Sequence, residues 1–262
     1  MLQDQFDSRK FHLTFSGAPR FIEREALLPN FEEKLEADSL RRGWQLDDWS
    51  LPQTARVLLL LSLSYEDKDH YLKFIEKLFD TGELHELVAL YSSLSLLAYP
   101  HAWQARAAEG VRTNMVDVFD AIALRNPYPT DYLEENAWNQ MYLKAVFMGR
   151  PIYKIHGQDQ RANEDLARIA SDYAHERWAA GREVTPEIWR PLALFVNETI
   201  TEDLKKLLSS ENPLEQAAGA LVCEASNYEA AHRLLGEYPD LKQKVEQKEI
   251  TWDYIIETLN QS

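Results

Sequence analysis

Residues 131–151 read DYLEENAWNQMYLKAVFMGRP, and the fold class turns on this stretch. At 100° per residue it is apolar over most of its circumference from Asp131 to Met148, which predicts one long helix closed by Gly149 and Pro151. The turn Asn126-Pro127-Tyr128-Pro129 precedes it. Upstream, the same 3.6-residue period recurs in Tyr71, Leu72, Ile75, Leu78 and Phe79 up to Gly82, and again in Leu84, Leu87, Val88, Tyr91 and Leu94 before Pro100. Val111, Met115, Val118, Phe119 and Ile122 repeat it. Leu51 to Ser64 is apolar nearly all round and reads as a buried helix with Pro52 in its first turn.

Downstream, residues 149–162, GRPIYKIHGQDQRA, show no helical period and form a sizeable internal loop. A helix from about Asn163 to Ala180 follows, ended by Gly181, and Thr185-Pro186 and Asn212-Pro213-Leu214-Glu215 carry helix-start signals. The expected architecture is therefore all-α, a multi-helix array. From Thr185 onward short helices alternate with tight turns, which suggests α-solenoid, HEAT-like character. Residues 1–50, with Phe6, Phe11, Leu13, Phe15 and Phe21, are expected as an irregular arm packed on the body. The body, 51–262, is expected as a single helical domain: a core at 51–184 around the loop, then helix pairs at 185–262.

Bulk composition agrees with helix. Glycine is scarce, at 9 of 262 residues, which disfavours hairpin-rich sheets and glycine-rich phosphate loops. The formal charge of −15 argues against nucleic acid as a partner, because neutralising phosphates needs clustered Lys and Arg. That charge is uneven: −6 over residues 1–100, −2 over 101–190 and −7 over 191–262. The middle is least acidic, and Lys144, Arg150, Lys154 and Arg161 make the loop region locally positive against Asp159. The N-terminus lacks the basic-then-apolar order of a signal peptide, and the longest apolar run, Val57 to Leu61, is too short for a membrane span, so a cytoplasmic protein is expected. Cys223, the single cysteine, sits in a helical run and reads as a small core residue.

Several polar residues stand out against this background. Asn136, Gln140 and Lys144 form an i, i+4, i+8 stripe, which is either a cavity wall or a solvated strip. Arg177 projects into the apolar face made by Leu166, Ile169, Ala170 and Tyr173, where it requires a carboxylate or several carbonyls; a structural ion pair and anion recognition both satisfy it. Arg112 and Arg125 flank the apolar face around Met115 and Phe119. If the central helices converge, Arg112, Arg125, Tyr128, Gln140, Lys144, His156, Arg161 and Arg177 would make a basic, aromatic-lined pocket for phosphate or carboxylate groups. His156 and Asp159 are the candidates for acid–base work. Asp172 and His175 lack the second motif that a carboxylate–histidine metal site needs, so no metal and no cofactor are expected. Serine-hydrolase, zinc-helix and nucleotide-loop signatures are all missing from the sequence.

The phrases Arg112-Thr113-Asn114-Met115, Ala123-Leu124-Arg125-Asn126-Pro127-Tyr128-Pro129, Ala137-Trp138-Asn139-Gln140-Met141 and Asp172 through Arg182 resemble, in order, those of the EboA family. Gly157-Gln158-Asp159-Gln160-Arg161-Ala162-Asn163 departs from the family's Gly-Leu-Asp-x-Arg-Ala-Asn at one position. The resemblance implies a bacterial secondary-metabolite gene neighbourhood that also encodes a UbiA-type prenyltransferase, a TatD-like hydrolase and a sugar-phosphate-cyclase relative. It implies no catalytic residues. The expected function is a non-catalytic binding or scaffold protein for an anionic pathway intermediate, with proteins of that neighbourhood as possible partners. An enzyme acting on an anionic or prenylated intermediate, and a pure protein–protein interaction module, are the alternatives.

Overall fold

Asp7 starts the first helix: its carboxylate accepts the Arg9 and Lys10 backbone N–H groups, both at 3.0 Å. The computed structural model describes residues 7–261, so Phe6 lies outside the described residues. The chain divides into two compact units, Met1–Ala137 with Lys154–His156, and Trp138–Tyr153 with Gly157–Ser262. No strand occurs among the described residues, and the one isolated bridge joins Ala26 and Ser50. No described helix is long and apolar enough to cross a membrane.

The first unit begins with α1 (Ser8–Phe21) and α2 (Phe31–Leu40), continues through α3 (Leu51–Leu61), α4 (Lys68–Thr81) and α5 (Leu84–Ser93), and then carries α6 (Gln104–Arg112), α7 (Val116–Ala123) and α8 (Tyr128–Tyr132). The first 50 residues are thus not an irregular arm. Phe11, Phe15 and Ala18 recur at helical spacing and are buried, while Leu13 and Phe21, on the outer side, are 67% and 82% exposed. Reading all the aromatics as equally buried hides that period.

One contact between α1 and α3 follows from proline chemistry. Pro19 has no N–H to give the Phe15 carbonyl four residues earlier, and Arg56 of α3 supplies the donor from Nε at 2.9 Å. The same guanidinium lies 5.8 Å from the Phe15 ring centroid. Further in, α5 packs against α3 and α7, and α6 packs against α7. Gly110 of α6 is required there, since a Cβ would stand 2.4 Å from the Tyr91 ring.

The long helix expected over 131–148 is two helices. Leu133 adopts an extended backbone (φ −75°, ψ 137°) that closes α8, and α9 (Glu135–Phe147) starts afresh with an acid in its first turn, where the helix dipole favours one. The second unit holds most of α9, then α10 (Glu164–Ala179), a 3-10 helix at Pro186–Phe195, α11 (Glu198–Leu208), α12 (Pro213–Ala225), α13 (Glu229–Gly236), α14 (Pro239–Glu246) and α15 (Trp252–Leu259). The helices after Thr185 are short, as expected, but α12 is touched by the 3-10 helix and by α11, α13, α14 and α15. Its buried residues are small (Ala217, Ala218, Gly219, Ala220, Val222 and Cys223), which lets several neighbours approach. A solenoid instead stacks each pair on its neighbours alone.

Candidate functional site

In the first unit the site-bearing segment is Arg125 to Asp131, held by residues 154–156. Arg125 has φ +54°, a left-handed backbone that turns the chain out of α7. Its N–H donates to the Lys154 carbonyl at 2.7 Å, and the Thr130 hydroxyl donates to the His156 carbonyl at 2.7 Å. Arg125 Nη1 and Lys154 Nζ both donate to Asp48 Oδ2, at 2.6 and 2.8 Å. Burial raises the proton affinity of the Asp48 carboxyl, but the two cations outweigh it and hold the group below the usual carboxylate range.

Asn126 is the keystone of the turn. Its buried amide donates to the Tyr91 and Ala121 carbonyls, each at 3.0 Å, and accepts the Tyr128 N–H at 3.0 Å. Tyr128 is fully buried, and its hydroxyl donates to the Pro100 carbonyl at 2.5 Å. The His156 ring lies on Gly43, where a Cβ would stand 2.2 Å from the imidazole and where φ is +81°. Burial pushes the His156 pKa down, with Asp131 pulling the other way without cancelling it.

The second unit organises its polar residues around α9. Asn139 and Asn163 exchange amide hydrogen bonds, and Asn163 also caps α10 by accepting the Leu166 N–H at 2.9 Å. The Arg161 guanidinium lies 5.1 Å from the Trp138 ring centroid. The buried Tyr142 hydroxyl donates to Gln158 at 3.4 Å, and its acidity is suppressed by burial. Asp159 is gripped at both oxygens by Arg190, at 2.8 and 2.7 Å. Elsewhere, buried Asp203 accepts from the Ser171 hydroxyl at 2.6 Å and pairs with His175 Nε2 at 2.5 Å. Ser171 therefore bonds the carboxylate rather than the imidazole, which is not the order of a hydrolase triad.

Of the eight residues expected to bind a ligand, Arg112, Arg125, Tyr128 and His156 lie in the first unit and Gln140, Lys144, Arg161 and Arg177 in the second. The Arg125 and His156 segments are tied through the backbone, while the Arg125 side chain goes to Asp48 and the His156 ring to Gly43. Tyr128 shares their turn, with its hydroxyl spent on Pro100. Arg112 is exposed in the last turn of α6. In the second unit Gln140 is exposed and Lys144 half-buried, with burial pulling the Lys144 pKa down. Arg177 meets its need for carbonyls locally: Nε and Nη2 both donate to the Glu183 oxygen, at 3.0 and 2.9 Å, tying the end of α10 to the following turn.

Two features escaped the sequence reading. Glu187 is buried with Oε1 unbonded, and burial pushes its carboxyl up to about 7. The other is a concavity of about 500 Å3 walled by α1, α3 and α5, which gathers Arg20, Arg24, Arg56 and His85. Arg56 was legible as the one charge in LPQTARVLLLL.

A protein-family model described as "Metabolite traffic protein EboA" matches residues 1–193. No match is found among curated proteins or among solved structures. The matched span contains every residue discussed above as a candidate ligand contact.

Proposed function

Since the chain belongs to the EboA family, we propose that it holds and passes on an anionic metabolite without transforming it. The observation carrying this reading is the Asp159–Arg190 clamp. Both oxygens of this carboxylate accept from one guanidinium, so the acidic candidate for chemistry is committed to architecture. His156 supports the same reading, because its ring is packed directly against Gly43. Cys223 is no nucleophile: burial pushes its thiol up to about 12.

In this proposal each unit is taken by itself, with Arg112, Arg125 and His156 as the candidate ligand contacts of the first and Gln140, Lys144 and Arg161 as those of the second. Tyr128 and Arg177 shape the surrounding backbone. The setting proposed is the cytoplasmic side of bacterial secondary-metabolite biosynthesis or export, with other proteins of that pathway as partners. An enzymatic reading draws on one observation, the Glu187 carboxyl, whose pKa near 7 suits proton transfer at neutral pH. Mass spectrometry of what copurifies with the chain from its native host, wild type against Arg161→Ala, tests the proposal. A bound anionic metabolite that disappears in the variant is the expected result. A protein partner retained by both chains, with no metabolite in either, sinks it and leaves the interaction module.

A further inference from the structure

We propose that the concavity between α1, α3 and α5 is a binding site for the phosphate group of a small ligand, with Arg20, Arg24 and Arg56 as its anion contacts. This site lies wholly in the first unit and shares no residue with the contacts proposed above. Its volume, about 500 Å3, is that of a metabolite pocket rather than of a surface dimple.

Three observations carry the assignment. First, Arg56 is only 4% exposed, and of its guanidinium nitrogens Nε alone is bonded, to the Phe15 carbonyl. No ion pair closes on Nη1 or Nη2 among the described residues, which leaves a nearly buried cation lining the cavity with its outer donors unused. Second, Arg20 and Arg24 are exposed at the rim, and neither guanidinium has a hydrogen bond or ion pair among the described residues.

Third, the acids nearby are outnumbered by the arginines. Glu86 caps α5, its Oε2 accepting the Glu83 N–H at 3.0 Å, and the lining holds three arginines against Glu83 and Glu86. Burial lowers the Arg56 pKa, Glu86 pulls it back, and Arg24, a second cation, lowers it again. A ligand with several anionic oxygens compensates the buried charge and satisfies the forked donors together. Leu84 and His85, the first residues of α5, line the same space, at the positive end of a ten-residue helix.

Isothermal titration of the full chain with inorganic pyrophosphate tests the site. The wild type is expected to bind saturably, and the Arg20→Ala/Arg24→Ala double variant to bind at least about ten-fold more weakly, the loss of one or two charge-assisted hydrogen bonds. Both residues are exposed, so an unchanged thermal melt confirms that the double variant is folded. Arg161→Ala is expected to bind pyrophosphate like the wild type, which separates this site from the one proposed for the central region. A second arm uses phosphatidylcholine vesicles containing phosphatidic acid. Flotation lost in the double variant supports the site and makes a lipid headgroup its phosphate source, whereas pyrophosphate binding without flotation assigns a soluble ligand. Equal affinity in wild type and double variant, or no saturable binding in either arm, overturns the proposal.

Discussion

Asn139 and Asn163 face each other in the second unit as a closed amide pair: Asn139 Nδ2 donates to Asn163 Oδ1 at 3.1 Å, and Asn163 Nδ2 donates to Asn139 Oδ1 at 2.9 Å. Asn163 does more than its partner, because it also accepts the Leu166 N–H and donates to the Arg161 carbonyl at 3.1 Å. Asn163→Ala is therefore expected to cost about 2–4 kcal/mol and Asn139→Ala about 1–2 kcal/mol. Denaturant unfolding of both variants checks the order; an equal cost would mean that the cap adds nothing.

The pairing of Arg56 with the Phe15 carbonyl makes a prediction that only a double-mutant cycle can reach. Arg56→Leu leaves that carbonyl without a donor, since Pro19 has no N–H to offer. Pro19→Ala restores the helical donor. The Arg56→Leu substitution is expected to cost less in the Pro19→Ala background than in the wild type, by roughly 1 kcal/mol of coupling. Additive costs in the thermal or denaturant melts would show that the carbonyl gains nothing from the guanidinium.

Glu187 gives the molecule a pH signature. Burial raises its folded-state pKa from 4.5 to about 7, although the Tyr153 backbone, Arg190 and Thr185 all pull it back. At the acid end both states carry the proton. Between the two values the folded chain holds a proton that the unfolded chain has released, so this group's contribution to stability falls as pH rises, levelling off above the folded pKa. The full effect is about 3 kcal/mol. Relative to wild type, Glu187→Gln should gain up to that amount on going from about pH 5 to about pH 8. Parallel melts of the two proteins at both pH values read the difference, and a constant offset would place the carboxyl in water.

Much of the fold was written in periodicity and caps. Asn163 and Asn212 cap the helices their residue types announce, and Gly149 and Gly181 take the positive φ expected of helix-ending glycines. Thr185-Pro186 opens a helix as read, though a 3-10 one, with Pro191 inside it. The break at Leu133 was not legible, because an apolar residue continues the helical pattern whichever backbone it adopts. The polar stripe on α9 led toward Gln140 and Lys144, while the residue that anchors the helix is Asn139, which looked like one more side chain on its covered face. Arg177 was read as needing a carboxylate or several carbonyls, and it bonds the single carbonyl of Glu183, near in sequence, through two nitrogens. That the Arg125 and His156 segments are tied through the backbone was not legible, since no spacing rule links positions 31 residues apart. Arg20 and Arg24 were hidden by reading the first 50 residues as irregular, for without a helix there is no face on which to place them.

The three residues Lys154–His156 belong to the first unit, while the chain on either side of them belongs to the second. The backbone therefore changes units three times, and no single cut yields two complete pieces. A fragment ending at Ala137 would keep Arg125 and Thr130 but lose the two carbonyls, of Lys154 and His156, that receive their hydrogen bonds. During synthesis that fragment emerges first and must wait for 154–156 before its Asn126 turn is tied down, so maturation of the first unit is coupled to translation well into the second.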